Sequence, residues 1–96
     1  MHLQTLLQDH RATVVDVRSP GEFRMGHVPG SINIPLQELP ERMAELNGLG
    51  KAVVLCCASG NRSGQAERYL RQHGLQDVYN GGSWTDVEYL MERLKP

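Results

Sequence analysis

The sequence is poor in cysteine and in long apolar runs, and each shortage excludes a class of protein. Only two cysteines occur in 96 residues, and they are adjacent, Cys56 and Cys57. Neighbouring cysteines rarely meet the geometry of an unstrained disulfide, so a fold held by disulfides is excluded. No Cys or His pair stands at zinc spacing, so we expect no metal site. No apolar run approaches the ~18 residues of a membrane span, so no membrane contact is expected.

An excess of charge of one sign is also missing. Ten Lys and Arg residues stand against eleven Asp and Glu residues, for a net charge of −1. Nucleic-acid binding needs a clustered basic excess, so no such partner is expected. The start Met1-His2-Leu3-Gln4 lacks the features of a signal peptide, which predicts a cytoplasmic protein, or a periplasmic one if a leader was removed. The length suits one domain over residues 1–96.

Helices and strands alternate along the chain. Apolar spacing and capping residues predict five helices. The first contains Leu3, Leu6 and Leu7, the second follows an N-cap at Ser19, the third covers residues 40–47, and the fourth runs from about residue 63 to 73. The fifth follows Ser83, and its apolar stripe consists of Trp84, Val87, Leu90, Met91 and Leu94. Apolar, β-branched runs predict strands over residues 13–17, 31–34, 52–56 and 77–79. Such alternation is typical of a parallel sheet covered on both faces. We therefore expect a three-layer α/β domain with about four mainly parallel strands.

The residues best suited to catalysis lie where the strand over residues 52–56 meets the next helix. Ligands of open α/β sheets bind at the carboxyl ends of strands, where helix N-termini present unpaired N–H groups. A helix end and the Arg62 guanidinium both favour the reactive thiolate form of Cys57. Gly60 lets successive N–H groups point inward as an anion-binding nest, and Ser63 can cap the helix or donate into it. Cys57 is therefore the expected nucleophile.

Cys56 has a different expected role. It lies inside the apolar strand, where a cysteine is more often a small buried hydrophobe than a reactive group.

Three segments carry a resemblance to a known family. The run Cys57-Ala58-Ser59-Gly60-Asn61-Arg62-Ser63 resembles the active-site loop of the rhodanese family. The segment from Asp16 to Pro35 is similar to the rhodanese pattern D-V-R-x-x-x-E-[FY]-x-x-G-H-[IV]-x-G-[AS]-x-N-[IL]-P, and Gly81-Gly82-Ser83-Trp84 is a weaker third match. Members typically open with another strand before the first helix, so either the sheet has one strand fewer here or the chain is trimmed at its start.

The resemblance implies sulfur transfer in two steps, without a cofactor. The Cys57 thiolate attacks the sulfane sulfur of a donor such as thiosulfate, releases sulfite and keeps the sulfur as a persulfide. A thiophilic acceptor then takes that sulfur: cyanide, a small thiol or a protein thiol. The loop cradle that holds the persulfide charge consists of Ala58, Ser59, Gly60, Asn61, Arg62 and Ser63. Arg62 orients the anionic end of the donor.

The upstream segment supplies mostly structural residues. Asp16, at a strand end, is expected to pin loop N–H groups or to pair with an arginine. Arg18 is expected to be that partner or to line the pocket mouth. Capping alone explains Glu22, and His27 is expected to anchor its loop. Trp84 has the spacing of a core residue.

Other functions stay open at this point. Counted from Cys56, the run is C-x5-R, the phosphate loop of cysteine phosphatases and related arsenate reductases. Those enzymes usually carry histidine where Leu55 stands, and Gly-Pro where Ser63-Gly64 follows Arg62. A non-catalytic rhodanese-like binding module is the second alternative, although such modules often lack the cysteine. In a third, Cys56 is a resolving thiol for Cys57, which needs a strained bond.

Overall fold

The computed structural model describes residues 3–8 and 11–92 of the chain. In chain order the elements are α1 (Leu3–Gln8), β1 (Ala12–Asp16), α2 (Pro20–Met25), β2 (Ile32–Asn33), a 3₁₀ turn (Leu36–Glu38), α3 (Leu39–Asn47), β3 (Ala52–Cys57), α4 (Asn61–Gln72), β4 (Val78–Ser83) and α5 (Trp84–Glu92). The strands form a parallel four-stranded sheet in the order β2-β1-β3-β4. The predicted α/β class with a parallel sheet is confirmed.

Two apolar clusters cover opposite faces of the sheet. Successive side chains of a strand point to opposite sides, and a strand buried on both sides is apolar throughout. On β3, Val53, Leu55 and Cys57 therefore pack in the cluster that includes residues of α3 and α4. Val54 and Cys56 pack in the other cluster, with residues of α1 and α5. The two adjacent cysteines thus belong to different layers of the domain.

The ends of several elements differ from the sequence prediction, most of all near Cys57. The central strand continues to Cys57, and α4 begins at Asn61 instead of about residue 63, so the loop between them is residues 58–60. The last strand runs through Gly81 and Gly82 instead of ending at Tyr79, because pairing with β3 extends it. The 3₁₀ turn was not predicted. Leu94, assigned to the stripe of α5, lies outside the described residues.

A bulge in β4 shapes the sheet next to the loop. Leu55 pairs with Asn80, and Cys57 pairs with Ser83, so β4 has one residue more than β3 between the two pairs. Gly82 has φ of +86°, a conformation that favours glycine, at this irregularity. Asn80 precedes the bulge, and its regular pairing with Leu55 places it beside the end of β3.

Gly81 is closely packed, which predicts that a side chain there destabilises the fold. A Cβ would lie 2.8 Å from both Val54 Cγ1 and Val87 Cγ2 and 3.1 Å from the Leu55 carbonyl oxygen. We expect Gly81→Ala to lower the free energy of unfolding by about 1–3 kcal/mol, measured by urea denaturation. Gly21→Ala is the control, because the nearest atom to its Cβ is Ser19 Oγ at 4.0 Å. Equal stability of the two variants would contradict the prediction.

Candidate active site

Cys57 ends a central strand of the sheet and faces the start of α4. Gly60, the N-cap of α4, has φ of +98° and so turns the loop in a way that favours glycine. The Gly60 N–H donates a hydrogen bond to Cys57 Sγ at 2.9 Å. The loop residues Ala58 and Ser59 are exposed, whereas Cys57 is fully buried beneath them. A backbone N–H at the start of α4 therefore contacts the sulfur, and the wider nest over residues 58–63 stays a prediction.

The surroundings of Cys57 favour its ionised form. Burial raises the pKa of the Cys57 thiol, but contacts with the Ser63 hydroxyl and with the backbone N–H groups of Ser63, Gly60 and Ser59 lower it. The lowering prevails, so this pKa lies below the ordinary cysteine value. The thiolate is the nucleophilic form of cysteine, and this arrangement increases its population.

Cys56 has the opposite environment. Burial raises the pKa of its thiol to about 12, and the nearby negative charge of Asp16 contributes in the same direction. Cys56 therefore stays protonated at neutral pH and packs as an apolar residue. The cysteine phosphatase alternative needs an ionised Cys56, so this geometry gives it no support.

Arg62 pairs with a residue that is distant in sequence. Its Nη1 lies 2.7 Å from Glu22 Oε1, and its Nη2 lies 3.0 Å from Oε2. The Arg62 guanidinium, with the Ser19 backbone, lowers the pKa of Glu22 to about 2, so the pair is charged at neutral pH. Glu22 also completes the capping box with Ser19. The expectation that capping alone explains Glu22 was wrong, because this carboxylate also joins α2 to the first turn of α4 through Arg62. In the same turn, the side chain of Asn61 is exposed.

Asp16 and Arg18 form a buried ion pair at the end of β1. Arg18 Nε donates to both carboxylate oxygens at 3.0 Å, and Nη2 donates to Oδ2 at 2.7 Å. The Arg18 backbone N–H also donates to Asp16 Oδ1, so the pairing and the pinning of a loop N–H are both present. Arg18 Nη2 donates to the Gly26 carbonyl, and the guanidinium lies 4.9 Å from the centre of the Trp84 ring. Nε and Nη2 of the buried guanidinium are thus held by protein oxygens.

His27 anchors its loop. Its ring stacks on Phe23 with centroids 3.7 Å apart, and its Nδ1 lies 2.7 Å from the Phe23 carbonyl oxygen. These contacts account for the residue without a catalytic role.

Asn80 is a residue of the site that sequence reasoning missed. The Ser63 hydroxyl lies 3.4 Å from Cys57 Sγ and donates to Asn80 Oδ1 at 2.7 Å. The Asn80 side chain also donates through Nδ2 to the Gly60 carbonyl at 3.2 Å. Its one signal in the sequence is the run Asn80-Gly81-Gly82, which is typical of turns and says nothing of a contact with a distant loop.

Comparison with known proteins identifies the family. Residues 2–87 match the family model described as the rhodanese-like domain. The chain belongs to this family. The rhodanese-like domain is 43% identical over 70 residues to the uncharacterized protein YqhL of Bacillus subtilis, with 73% of this chain and 55% of that protein covered, so it spans about half of that relative. It is 39% identical over 74 residues to thiosulfate sulfurtransferase PspE of Escherichia coli, with 76% and 71% covered.

Solved structures show the same fold. A rhodanese with anions from E. coli has a TM-score of 0.71 and 38% identity, with 78% of this chain and 89% of that chain covered. The human single-domain sulfurtransferase TSTD1 has a TM-score of 0.69 and 31% identity, with 92% and 88% covered. The sulfurtransferases among the relatives support sulfur transfer in general for this rhodanese-like domain.

Neither a membrane-spanning helix nor a cluster of metal-binding side chains occurs in the described part of the rhodanese-like domain. None of its helices has the length and apolar character needed to cross a membrane. No group of three or more His, Cys, Asp or Glu side chains is placed to hold a metal ion within residues 3–8 and 11–92.

Proposed function

We propose that this chain is a sulfurtransferase that moves a sulfane sulfur from thiosulfate or a persulfide donor to a thiophilic acceptor through a persulfide on Cys57. The observation that carries the proposal is the position of Cys57 Sγ, 2.9 Å from the Gly60 N–H at the start of α4, with a lowered thiol pKa. Relatives named thiosulfate sulfurtransferase support the same chemistry. The acceptor class includes cyanide and thiols, either small or on a protein.

In the first step the Cys57 thiolate attacks the outer sulfur of thiosulfate. The S–S bond of the donor breaks, its electron pair leaves with sulfite, and a new S–S bond forms on the protein. The partners of Cys57 Sγ are a hydroxyl and backbone N–H groups, so ionisation depends on the lowered pKa and not on a side-chain base. This step leaves a persulfide whose outer sulfur carries negative charge, which the N–H groups of the loop can stabilise.

In the second step the acceptor attacks the outer sulfur of the persulfide. The protein S–S bond breaks, and its electron pair returns to Cys57 as the thiolate. A thiol of lower pKa leaves faster, so the same hydrogen bonds that favour the nucleophile also favour its release.

Mass spectrometry tests the covalent step directly. After incubation with thiosulfate and desalting, we expect the protein to gain about the mass of one sulfur, ~32 Da, on Cys57. Cyanide should remove this added mass and yield thiocyanate. Addition to Cys56 alone, or no addition at all, would contradict the proposal.

The Glu22–Arg62 ion pair is expected to affect donor binding. Arg62 is the cation that we assign to the donor, and Glu22 neutralises it through two hydrogen bonds. Glu22→Gln removes a negative charge near the bound dianion, so the KM for thiosulfate should fall roughly threefold at low salt and the difference should shrink as ionic strength rises. Steady-state kinetics measure both effects.

A matched control for this change lies on α3. Glu45 forms a comparable pair with Arg42, at 2.7 Å, within the same helix. Glu45→Gln should leave the KM for thiosulfate unchanged. A higher KM in Glu22→Gln would mean that holding Arg62 in place matters more than the charge.

A further inference from the structure

The Ser63 hydroxyl has two neighbours that can accept its hydrogen. Its oxygen lies 2.7 Å from Asn80 Oδ1 and 3.4 Å from Cys57 Sγ, and Ser63 is fully buried. A hydroxyl carries one hydrogen and two lone pairs. While it donates to Asn80, it can accept a hydrogen bond from a Cys57 thiol but cannot donate to a thiolate.

Two backbone groups fix which end of the Asn80 amide faces Ser63. Nδ2 donates to the Gly60 carbonyl at 3.2 Å, and Oδ1 accepts from the Gly82 N–H at 3.0 Å. If the amide were flipped, Oδ1 would face the Gly60 carbonyl oxygen and Nδ2 would face the Gly82 N–H, so two acceptors and two donors would meet. The oxygen is therefore held toward Ser63, and the Ser63 hydroxyl is left as the donor.

We propose that Asn80 is a positioning residue that draws the Ser63 hydroxyl hydrogen away from Cys57 and so restrains ionisation of the nucleophile. In the thiol state the Cys57 S–H donates to Ser63 Oγ, and Ser63 donates to Asn80. On ionisation the thiol proton passes to water, and the Ser63 hydroxyl rotates to donate to the thiolate. Asn80 Oδ1 still accepts the hydrogen bond from the Gly82 N–H, so this oxygen is not left without a donor. The proposal rests on the proposed role of Cys57.

The charged and titratable groups around Cys57 lie on elements other than β4, which carries Asn80. Cys56 is its neighbour on β3, and Arg62 lies on α4. Asp16 and Arg18 lie at the end of β1, and Glu22 lies on α2 against Arg62. Asn80 itself is uncharged and exposed, so its replacement by alanine changes no charge and opens no core cavity.

Asn80→Ala tests the proposal through the titration of Cys57. Without the competing acceptor, the Ser63 hydroxyl is free to donate to the thiolate, and the pKa of Cys57 should fall by roughly half a unit to one unit. The pKa is read from the pH dependence of thiolate ultraviolet absorbance and of alkylation by iodoacetamide. A Cys56→Ala background leaves a single thiol to observe.

The same substitution in a Ser63→Ala background separates positioning from a general effect on the loop. If Asn80 acts through the Ser63 hydroxyl, Asn80→Ala should no longer shift the pKa of Cys57 there. Three results would overturn the proposal: an equal shift of the Cys57 pKa with Ser63 present and in the Ser63→Ala background, a rise of this pKa in the protein that retains Ser63, or no shift in that protein.

Asn80→Asp provides a second variant with the opposite expected sign. A carboxylate oxygen accepts the Ser63 hydrogen more strongly, so the pKa of Cys57 should rise more in the Ser63 protein than in Ser63→Ala, where only the added charge acts. Equal rises would count against Asn80 as a positioning residue. These titrations use no sulfur donor, so they can succeed or fail independently of persulfide formation and of the proposed function.

Discussion

Cys57→Ala is expected to abolish thiosulfate:cyanide sulfur transfer, with a loss in kcat/KM of more than about a thousandfold. The variant has no sulfur at the end of β3 to attack the donor, and the neighbouring Cys56 cannot replace it. Cys56 lies in the other layer of the domain, and its pKa of about 12 keeps it protonated. Thiocyanate release by the purified protein is the measurement.

Cys56→Ala is the matched control. It removes a buried thiol from the same strand, so it should lower the stability modestly but retain most of the activity. Hydrolysis of an aryl phosphate, measured on the same proteins, tests the alternative chemistry. Phosphatase activity that is lost in Cys56→Ala but kept in Cys57→Ala would contradict the sulfurtransferase proposal. Absence of thiocyanate from the unaltered protein would favour a binding module.

Asp16→Ala is expected to produce the largest loss of stability, about 3–5 kcal/mol, because it leaves a buried guanidinium without its counter-charge. Asp16 is fully buried, and Arg18 is 5% exposed. The carboxylate accepts from both Nε and Nη2 of Arg18 and from its backbone N–H. Urea denaturation measures the difference in the free energy of unfolding.

Glu67→Ala is the control for this substitution, because it breaks a surface ion pair with Arg71 at 3.5 Å. Surface pairs contribute little, so its effect should be below about 1 kcal/mol. If Asp16→Ala does not fold, Asp16→Ala combined with Arg18→Met should recover stability, because no unpaired charge is then buried. A loss in Asp16→Ala no larger than in Glu67→Ala would contradict the prediction.

The sequence predicted the features that depend on neighbouring residues. The alternation of apolar runs determined the α/β class, and Ser19, Pro20 and Glu22 indicated the capping box that the structure contains. Gly60 indicated the turn of the loop, because its positive φ is a local property. The opposite environments of Cys56 and Cys57 also follow from strand alternation once the strand is known.

Contacts between distant segments could not be predicted in this way. Glu22 and Arg62 are separated by 40 residues, and only the folded sheet brings α2 beside α4. Asn80 reaches Ser63 because β4 pairs with β3, which places Asn80 beside Leu55. The sequence of β4, with two glycines, is typical of a turn, and the strand exists because β3 supplies its hydrogen-bonding partner.

The placement of the two cysteines on opposite faces of β3 also determines how the protein responds to oxidants. A bond between Cys56 and Cys57 of one domain would require the strand to be broken where it pairs with β1 and β4, so we expect neither thiol to resolve the other within the domain. We therefore expect an oxidised Cys57 to be reduced by a thiol from outside this domain. On this expectation the domain does not inactivate itself by internal crosslinking, and its recovery depends on the reducing capacity of its surroundings.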